Sequence, residues 1–66
     1  MEEGVVDKYS EDKGFGFIIQ NGGEKLLFKR FSLNMSGYKT LTVGDRVAFE
    51  VEKSIRGPEA VNVTKL

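Results

Sequence analysis

The segment Lys13–Ile18, which reads KGFGFI, carries the strongest structural signal in the chain. In an extended strand its spacing places Lys13, Phe15 and Phe17 on one face, and the two glycines and Ile18 on the other. Apolar bulk favours a core position for the phenylalanines. The lysine on the same face favours an outer surface instead, and glycines suit the crowded inner side of a small barrel. The pattern alone leaves both orientations open.

Short apolar runs of period two, separated by turn residues, surround this segment, and no stretch sustains the helical period. Asn21-Gly22-Gly23 predicts a hairpin turn, and Arg56-Gly57-Pro58 predicts the last turn. The connection 31–40 has a possible helical or 3₁₀ turn near Ser32. The predicted strands are residues 4–10, 13–20, 25–30, 46–53 and 60–66.

Five short strands within 66 residues predict an all-β fold and a single domain spanning residues 1–66. An open sheet of this size would leave long edges and one bare face. Closure into a small barrel is therefore expected. An SH3-like barrel is the main structural alternative.

The composition excludes most catalytic chemistry. The chain has no Cys and no His, so it lacks a thiol nucleophile, a thiolate metal site, disulfides, and a side chain that titrates near neutral pH when unperturbed. It has no phosphate-binding Walker loop and no dinucleotide fingerprint. It also has no apolar run of membrane-spanning length, and its acidic start, MEEG, does not suit a signal peptide. We expect a cytoplasmic protein that is not an enzyme, with no catalytic residue, cofactor, metal, membrane contact or small-molecule substrate.

The charge distribution is uneven although the net charge is zero. Residues 13–46 contain six basic and two acidic residues, whereas the flanks contain four basic and eight acidic residues. The central segment therefore has a net charge of +4, and the two flanks together have a net charge of −4. A basic centre between acidic ends is typical of a face that binds anions. A solvated surface with uneven charge is the alternative.

Several spaced motifs carry a more specific signal than KGFGFI alone. In order they are Lys13–Ile18, Gly37–Leu41 followed by Gly44, Phe49–Val51, Arg56–Pro58 with Ala60, and Asn62–Lys65. Through these motifs nearly the whole chain resembles the cold-shock domain family. The resemblance implies a five-stranded antiparallel OB-fold barrel that binds single-stranded DNA or RNA by stacking bases on exposed aromatic rings.

The resemblance also implies roles for individual residues. Phe15 and Phe17 become outward stacking rings, and Lys13 and Arg56 flank them as phosphate or base contacts. Tyr38 stands where the family usually has phenylalanine, on a mobile loop that covers a base. The site is therefore expected on the outside of the barrel.

The first strand departs from the family pattern. Where the family usually carries a basic residue, tryptophan and phenylalanine, this chain has Asp7-Lys8-Tyr9. The tryptophan is replaced by Lys8, and Tyr9 is the only ring left there. Both are expected to contribute to the binding face.

The third strand also departs, and its register can be aligned in two ways. A gapless alignment puts Leu26 and Phe28 in the core and Leu27 and Lys29 outside. An alignment that ends on Phe31-Ser32 would turn Lys29 inward at a large cost in free energy. We favour the gapless register. With it the predicted core comprises Val6, Ile18, Leu26, Phe28, Val47, Val51 and Val63, with Leu33 at a later core position and Met35 packed in the loop.

The gapless register changes the expected binding face. Lys29 and Arg30 replace a histidine and a phenylalanine of the family, and Arg30 could stack through its guanidinium plane. Phe31 either adds a ring at the rim or packs under the following loop, and the sequence favours neither. The predicted nucleic-acid-binding residues are Lys8, Tyr9, Lys13, Phe15, Phe17, Lys29, Arg30, Phe31, Tyr38 and Arg56.

These residues predict a monomeric single-stranded DNA- or RNA-binding protein, an RNA chaperone or a regulator of transcription or translation. Fewer rings and more cations than the family norm predict weaker, more salt-sensitive and less base-selective binding. The alternative is a barrel of this type that acts as a protein-interaction module because its nucleic-acid binding is weakened.

Overall fold

Five strands and one 3₁₀ turn make up the computed structural model, which describes residues 1–66. The Asn21–Gly23 sequence forms the predicted hairpin turn, with positive φ at both glycines. The 3₁₀ turn lies where the sequence indicated it, at Arg30–Ser32. The strands are β1 (Glu2–Ser10), β2 (Phe15–Gln20), β3 (Lys25–Lys29), β4 (Arg46–Ser54) and β5 (Gly57–Lys65).

The strands close into a barrel in the order β1-β2-β3-β5-β4, which confirms the predicted all-β barrel. The predicted antiparallel pairing holds for four of the five strand pairs; the exception is β3 and β5, which run parallel through Leu27 opposite Glu59 and Phe28 opposite Ala60. Strand directions cannot alternate around a ring with an odd number of members. One parallel pair is therefore required once the other four pairs are antiparallel.

The β4–β5 hairpin is tighter than predicted. Ser54 pairs with Gly57, so the connecting residues are Ile55 and Arg56, and the prediction of a turn over Arg56–Pro58 is wrong. The Ser54 hydroxyl donates to the carbonyl of Gly57 at 2.8 Å, and Gly57 has a φ of +116°. Glycine reaches this conformation without steric cost, and β5 begins here at Gly57 instead of at the predicted residue 60.

The core lies inside the barrel and contains six of the seven predicted residues. Val51 is the exception, because its side chain is 44% exposed. The pairing of β1 with β4 ends at Phe49, and the β4–β5 register shifts between Ala48 and Glu50. Beyond that point β4 has only β5 as a neighbouring strand, so Val51 is left partly exposed. The ten core residues are Val6, Ile18, Leu26, Phe28, Leu33, Leu41, Val47, Phe49, Ala60 and Val63, and Met35 packs against them as predicted.

The structure contains no helix that is long and apolar enough to cross a membrane.

Candidate nucleic-acid interface

The two phenylalanines of KGFGFI lie on the outer side of the barrel. Gly16 and Ile18 are buried, whereas Phe15 and Phe17 are half-buried. A Cβ atom at Gly16 would come within 2.8 Å of Cζ of Phe28, so the core ring occupies the space that a side chain would need. This close approach turns Phe15 and Phe17 outward. Their rings contact edge to face, with centroids 6.2 Å apart and planes at 85°.

A bulge in β1 determines which side chains of that strand reach the phenylalanines. Val6 pairs with Ile18 but Lys8 pairs with Phe17, so Asp7 is the extra residue. The exposed Lys8 therefore stands opposite Phe17 on the outer side. The bulge changes the alternation of every later residue in β1.

Tyr9 consequently pairs with Gly16 and packs on the core. Its ring stacks on Phe28 with centroids 5.6 Å apart and planes at 14°. Its hydroxyl donates a long hydrogen bond, 3.4 Å, to the carbonyl of Lys39. One face of the predicted stacking ring is thus already occupied by a core side chain.

The third strand follows the gapless register, and the alternative register is wrong. Leu26 and Phe28 are buried, Leu27 is half-buried and Lys29 is exposed. On the outer side, Leu27 pairs with Phe17 and Lys29 pairs with Phe15. Leu27 therefore lies at the centre of the outer side, between Phe17 on β2 and Glu59 on β5.

Two open grooves flank the phenylalanine pair and share Lys13, Phe15 and Phe17. The larger groove has a volume of about 550 Å³, and the smaller groove about 370 Å³. Eight of the ten predicted residues line one or both grooves. The larger groove adds Gly14, Leu27, Lys29, Phe31 and Arg56 to the shared three, and the smaller groove adds Lys8, Tyr9, Ser10, Gly16 and Val43.

Phe31 lies at the rim of the larger groove with 91% of its surface exposed. Packing under the following loop, the alternative for this ring, is wrong. Val43 is 64% exposed and borders the smaller groove. No sequence pattern selects Val43, because its position at the groove depends on how the loop before β4 folds against β1.

Arg30 does not line either groove. Its Nη2 donates to the carbonyl of Glu11 at 2.6 Å, and its Nε is covered and has no hydrogen-bond partner. The nearby Tyr9 hydroxyl is the main cause that raises the pKa of the Arg30 guanidinium, with smaller contributions from Tyr38 and Glu11. Arg30 therefore ties β3 to the β1–β2 turn in this structure.

Tyr38 lies on the loop between the 3₁₀ turn and β4, also outside the two grooves. Its hydroxyl donates to the Glu11 carboxylate, which also accepts from Thr40 Oγ1 at 2.7 Å. These two hydrogen bonds lower the pKa of Glu11, and the Glu11 charge and hydrogen bond raise the pKa of Tyr38. The Tyr38 ring remains 69% exposed. The sequence Glu11-Asp12 in the β1–β2 turn did not indicate that Glu11 would hydrogen-bond to the loop that carries Tyr38 and Thr40.

The charges on the outer side fall into paired and unpaired sets. Lys29 Nζ lies 3.8 Å from a carboxylate oxygen of Glu59, whereas Lys8, Lys13 and Arg56 make no ion pair. Lys25 Nζ lies 5.3 Å from the centroid of Phe17. The same Lys25 Nζ forms an ion pair with the Asp7 carboxylate at 3.6 Å. Sequence reasoning missed Lys25 and Glu59, since both reach the site through pairing between strands.

No group of three or more acidic side chains is placed so that it could hold a metal ion. The grooves are lined by aromatic, apolar, polar and basic side chains.

Comparisons with known proteins give a consistent result. A family model described as the 'Cold-shock' DNA-binding domain matches residues 2–66. The major cold shock protein of Streptococcus pyogenes serotype M6 is 46% identical over 66 residues, covering all of this chain and 98% of that protein. Cold shock protein CspA of Staphylococcus aureus is 48% identical over 67 residues, covering all of both chains.

A solved structure described as drosophila Unr CSD456 superposes with a TM-score of 0.81 at 23% identity. The match covers 98% of this chain but only 26% of that longer chain. At this identity the match concerns the fold alone, and the fold it shares with our chain is not the SH3-like alternative.

Proposed function

Because this chain belongs to the cold-shock domain family, we propose that it binds single-stranded DNA or RNA on the outer side of β2 and β3. The observation that supports this proposal is the position of Phe15 and Phe17. Both rings are half-buried on the outside, and unpaired cations stand in the grooves on either side of them. Aromatic rings bordered by positive charge are what a single strand needs for base stacking and phosphate contact.

We assign base stacking to the aromatic residues and phosphate contact to the basic residues of the site. Phe15 and Phe17 stack one base each, and Phe31 offers a third, exposed ring at the rim of the larger groove. Lys8, Lys13 and the side chain of Arg56 contact phosphates. Each stacked base is worth about 1–3 kcal/mol, so two or three rings suffice for binding.

The affinity is expected to be lower than is usual in the family and to depend strongly on salt. Tyr9 presents at most part of its ring, Leu27 takes the place of an aromatic side chain, and Lys29 is engaged by Glu59. Binding that depends on phosphate neutralisation weakens as salt competes for the strand.

The proposal places the chain among RNA chaperones and regulators of transcription or translation that act as monomers in the cytoplasm. It assigns no catalytic step to the domain, because the grooves are open to water and contain no His or Cys.

Fluorescence anisotropy of a labelled single-stranded oligonucleotide of about seven nucleotides, measured at two salt concentrations, tests the proposal. We expect saturable binding at low salt, weaker binding at the higher salt, and much weaker binding of the matching duplex, whose bases are not free to stack. The absence of binding at low salt would contradict the proposal and favour the protein-interaction module. Equal affinity for duplex and single strand would show that phosphate contacts alone account for binding.

A further inference from the structure

An acidic side chain, Glu59, stands beside the aromatic and basic residues of the larger groove. Glu59 on β5 pairs with Leu27 on β3, and paired residues of neighbouring strands share a face. The next residue, Ala60, is fully buried, so Glu59 points outward beside Leu27. Its carboxylate therefore belongs to the same surface as Phe17 and Lys29.

Glu59 lines an open depression that adjoins the larger groove. This depression has a volume of about 390 Å³ and shares Lys29 and Arg56 with the larger groove. The remaining lining comes from Ser54 and Ile55 at the end of the β4–β5 hairpin. A base that passes between Lys29 and Arg56 would meet the Glu59 carboxylate.

The hydrogen-bonding capacity of Glu59 is unused. Its side chain is only 13% exposed, its ion pair with Lys29 measures 3.8 Å, and no group in the structure donates a hydrogen bond to it. An ionised carboxylate has two acceptor oxygens and no donor, and an ammonium group has donors only. Glu59 and Lys29 thus present two acceptors beside a donor.

We propose that Glu59 and Lys29 form a guanine-selective subsite at the end of the larger groove, a specificity that rests on the proposed single-strand binding. This subsite departs from the less base-selective binding expected from the sequence, in which Glu59 was not among the predicted binding residues. The Watson–Crick edge of an unpaired guanine carries two adjacent donors, N1–H and the N2 amino group, next to the O6 acceptor. The two carboxylate oxygens of Glu59 match the donors, and the ammonium group of Lys29 matches O6. Such edges are accessible in single strands.

The other bases fit this pair less well. Adenine and cytosine each place a single amino donor beside a ring acceptor, which would face the second carboxylate oxygen. Uracil and thymine offer one N–H donor between two carbonyl acceptors. A carboxylate facing an acceptor is repelled, so selection combines attraction for guanine with exclusion of the others.

Fluorescence anisotropy with three labelled single strands of equal length tests the subsite. One strand is oligothymidine, the second has a single central guanine, and the third has hypoxanthine, which lacks the N2 amino group, in its place. We expect the guanine strand to bind at least about fivefold more tightly than oligothymidine, and hypoxanthine to lose most of that gain. Equal affinities for the three strands would overturn the proposal, while failure of all three to bind would instead contradict the proposed function.

Glu59→Gln supplies the matching test on the protein. Glutamine is isosteric with glutamate, but it removes the charge and replaces one acceptor oxygen by a donor. The guanine strand and oligothymidine should therefore bind this variant with nearly equal affinity. Glu24→Gln is the control, because Glu24 is exposed in the β2–β3 turn and its side chain makes no hydrogen bond or ion pair. It removes the same charge and should keep the preference. A guanine preference that survives Glu59→Gln would assign the selection to another residue.

Discussion

Phe15 and Phe17 meet edge to face on the outside of the barrel, with ring planes at 85°. Two rings in this arrangement cannot present parallel faces to a strand. Consecutive bases that stack on them must therefore turn relative to each other as they pass from one groove to the next. The two phenylalanines act as a divider with a groove on each side, and this geometry is the basis of the predictions below.

Replacing either ring should weaken binding without unfolding the domain. Phe15→Ala or Phe17→Ala removes one stacking surface, and we expect a loss of about 1–3 kcal/mol in binding free energy. The free energy of unfolding should change little, because both side chains are on the outer side. Anisotropy and thermal unfolding measure the two quantities.

Phe28→Ala is the contrasting control for those variants. Phe28 is fully buried, and truncating a buried phenylalanine costs about 3–5 kcal/mol, which is most of the stability of a small domain. If Phe15→Ala unfolds the chain as readily as Phe28→Ala, the assignment of Phe15 to the outer side is incorrect.

Gly16→Ala should destabilise the barrel although it adds only one methyl group. The new Cβ would lie 2.8 Å from Phe28 Cζ and still closer to the backbone of β1, so β1 or the core ring would have to move. Overpacking of this kind costs about 1–3 kcal/mol, measurable by urea unfolding. A variant as stable as the wild-type chain would mean that Gly16 does not face the core.

The fold was largely predictable from the sequence because its signals are local. Alternating apolar residues, the Asn21–Gly23 turn and the gapless register of β3 place all five strands approximately and six of the seven predicted core residues correctly, although β5 begins at Gly57 and not at residue 60. The orientation of Phe15 and Phe17 was not decided by alternation. It followed from the family resemblance, and the structure explains it by the approach of Phe28 to Gly16.

The parts of the site that sequence reasoning missed depend on irregular or distant pairing. A bulge at Asp7 leaves no trace in the hydrophobic pattern, yet it turns the ring of Tyr9 onto Phe28. Glu59 joins the site only through the parallel pair of β3 and β5. Glu11 acts through a loop residue that lies 27 positions away, Tyr38.

Unpaired cations should determine the salt dependence of binding. For single strands, the slope of log K against log salt changes by about 0.7 for each phosphate contact. Lys13→Ala should therefore make the slope shallower by about 0.7, since Lys13 borders both grooves and has no ion-pair partner. Arg46→Gln, at a cation that is paired with Glu3 and lines no groove, should leave the slope unchanged. Tight binding that hardly responds to salt would contradict the proposed phosphate contacts.

Acid should weaken the contact between the β1–β2 turn and the Tyr38 loop. The pKa of Glu11 is lowered in the folded chain by the Tyr38 and Thr40 hydrogen bonds. Its contribution to stability is therefore complete above the ordinary carboxyl pKa, and it is lost as pH falls through the lowered value. Glu11→Gln should lose less stability over that acidic range, as measured by urea unfolding at several pH values. Identical pH profiles for the two proteins would show that this contact does not stabilise the fold.

Tyr38 should report the same contact at alkaline pH. Its pKa is raised chiefly by the hydrogen bond to Glu11 and by the Glu11 charge, so Glu11→Gln should lower it toward the usual tyrosine value. The ring resonances of Tyr38 in an NMR titration of the wild-type chain and of Glu11→Gln measure this shift. An unchanged titration of Tyr38 would mean that the hydrogen bond is absent in solution.

The most direct test of the proposed interface is an NMR titration of the chain with a short single-stranded oligonucleotide, following the backbone amides and aromatic rings. We predict that the largest shift changes fall on Phe15, Phe17 and Leu27 and on the cations that border the grooves. The Arg46 and Glu50 amides on β4, which does not pair with β2 or β3, should change little. Shift changes centred on β4, or none at saturating oligonucleotide, would contradict binding on the outer side of β2 and β3.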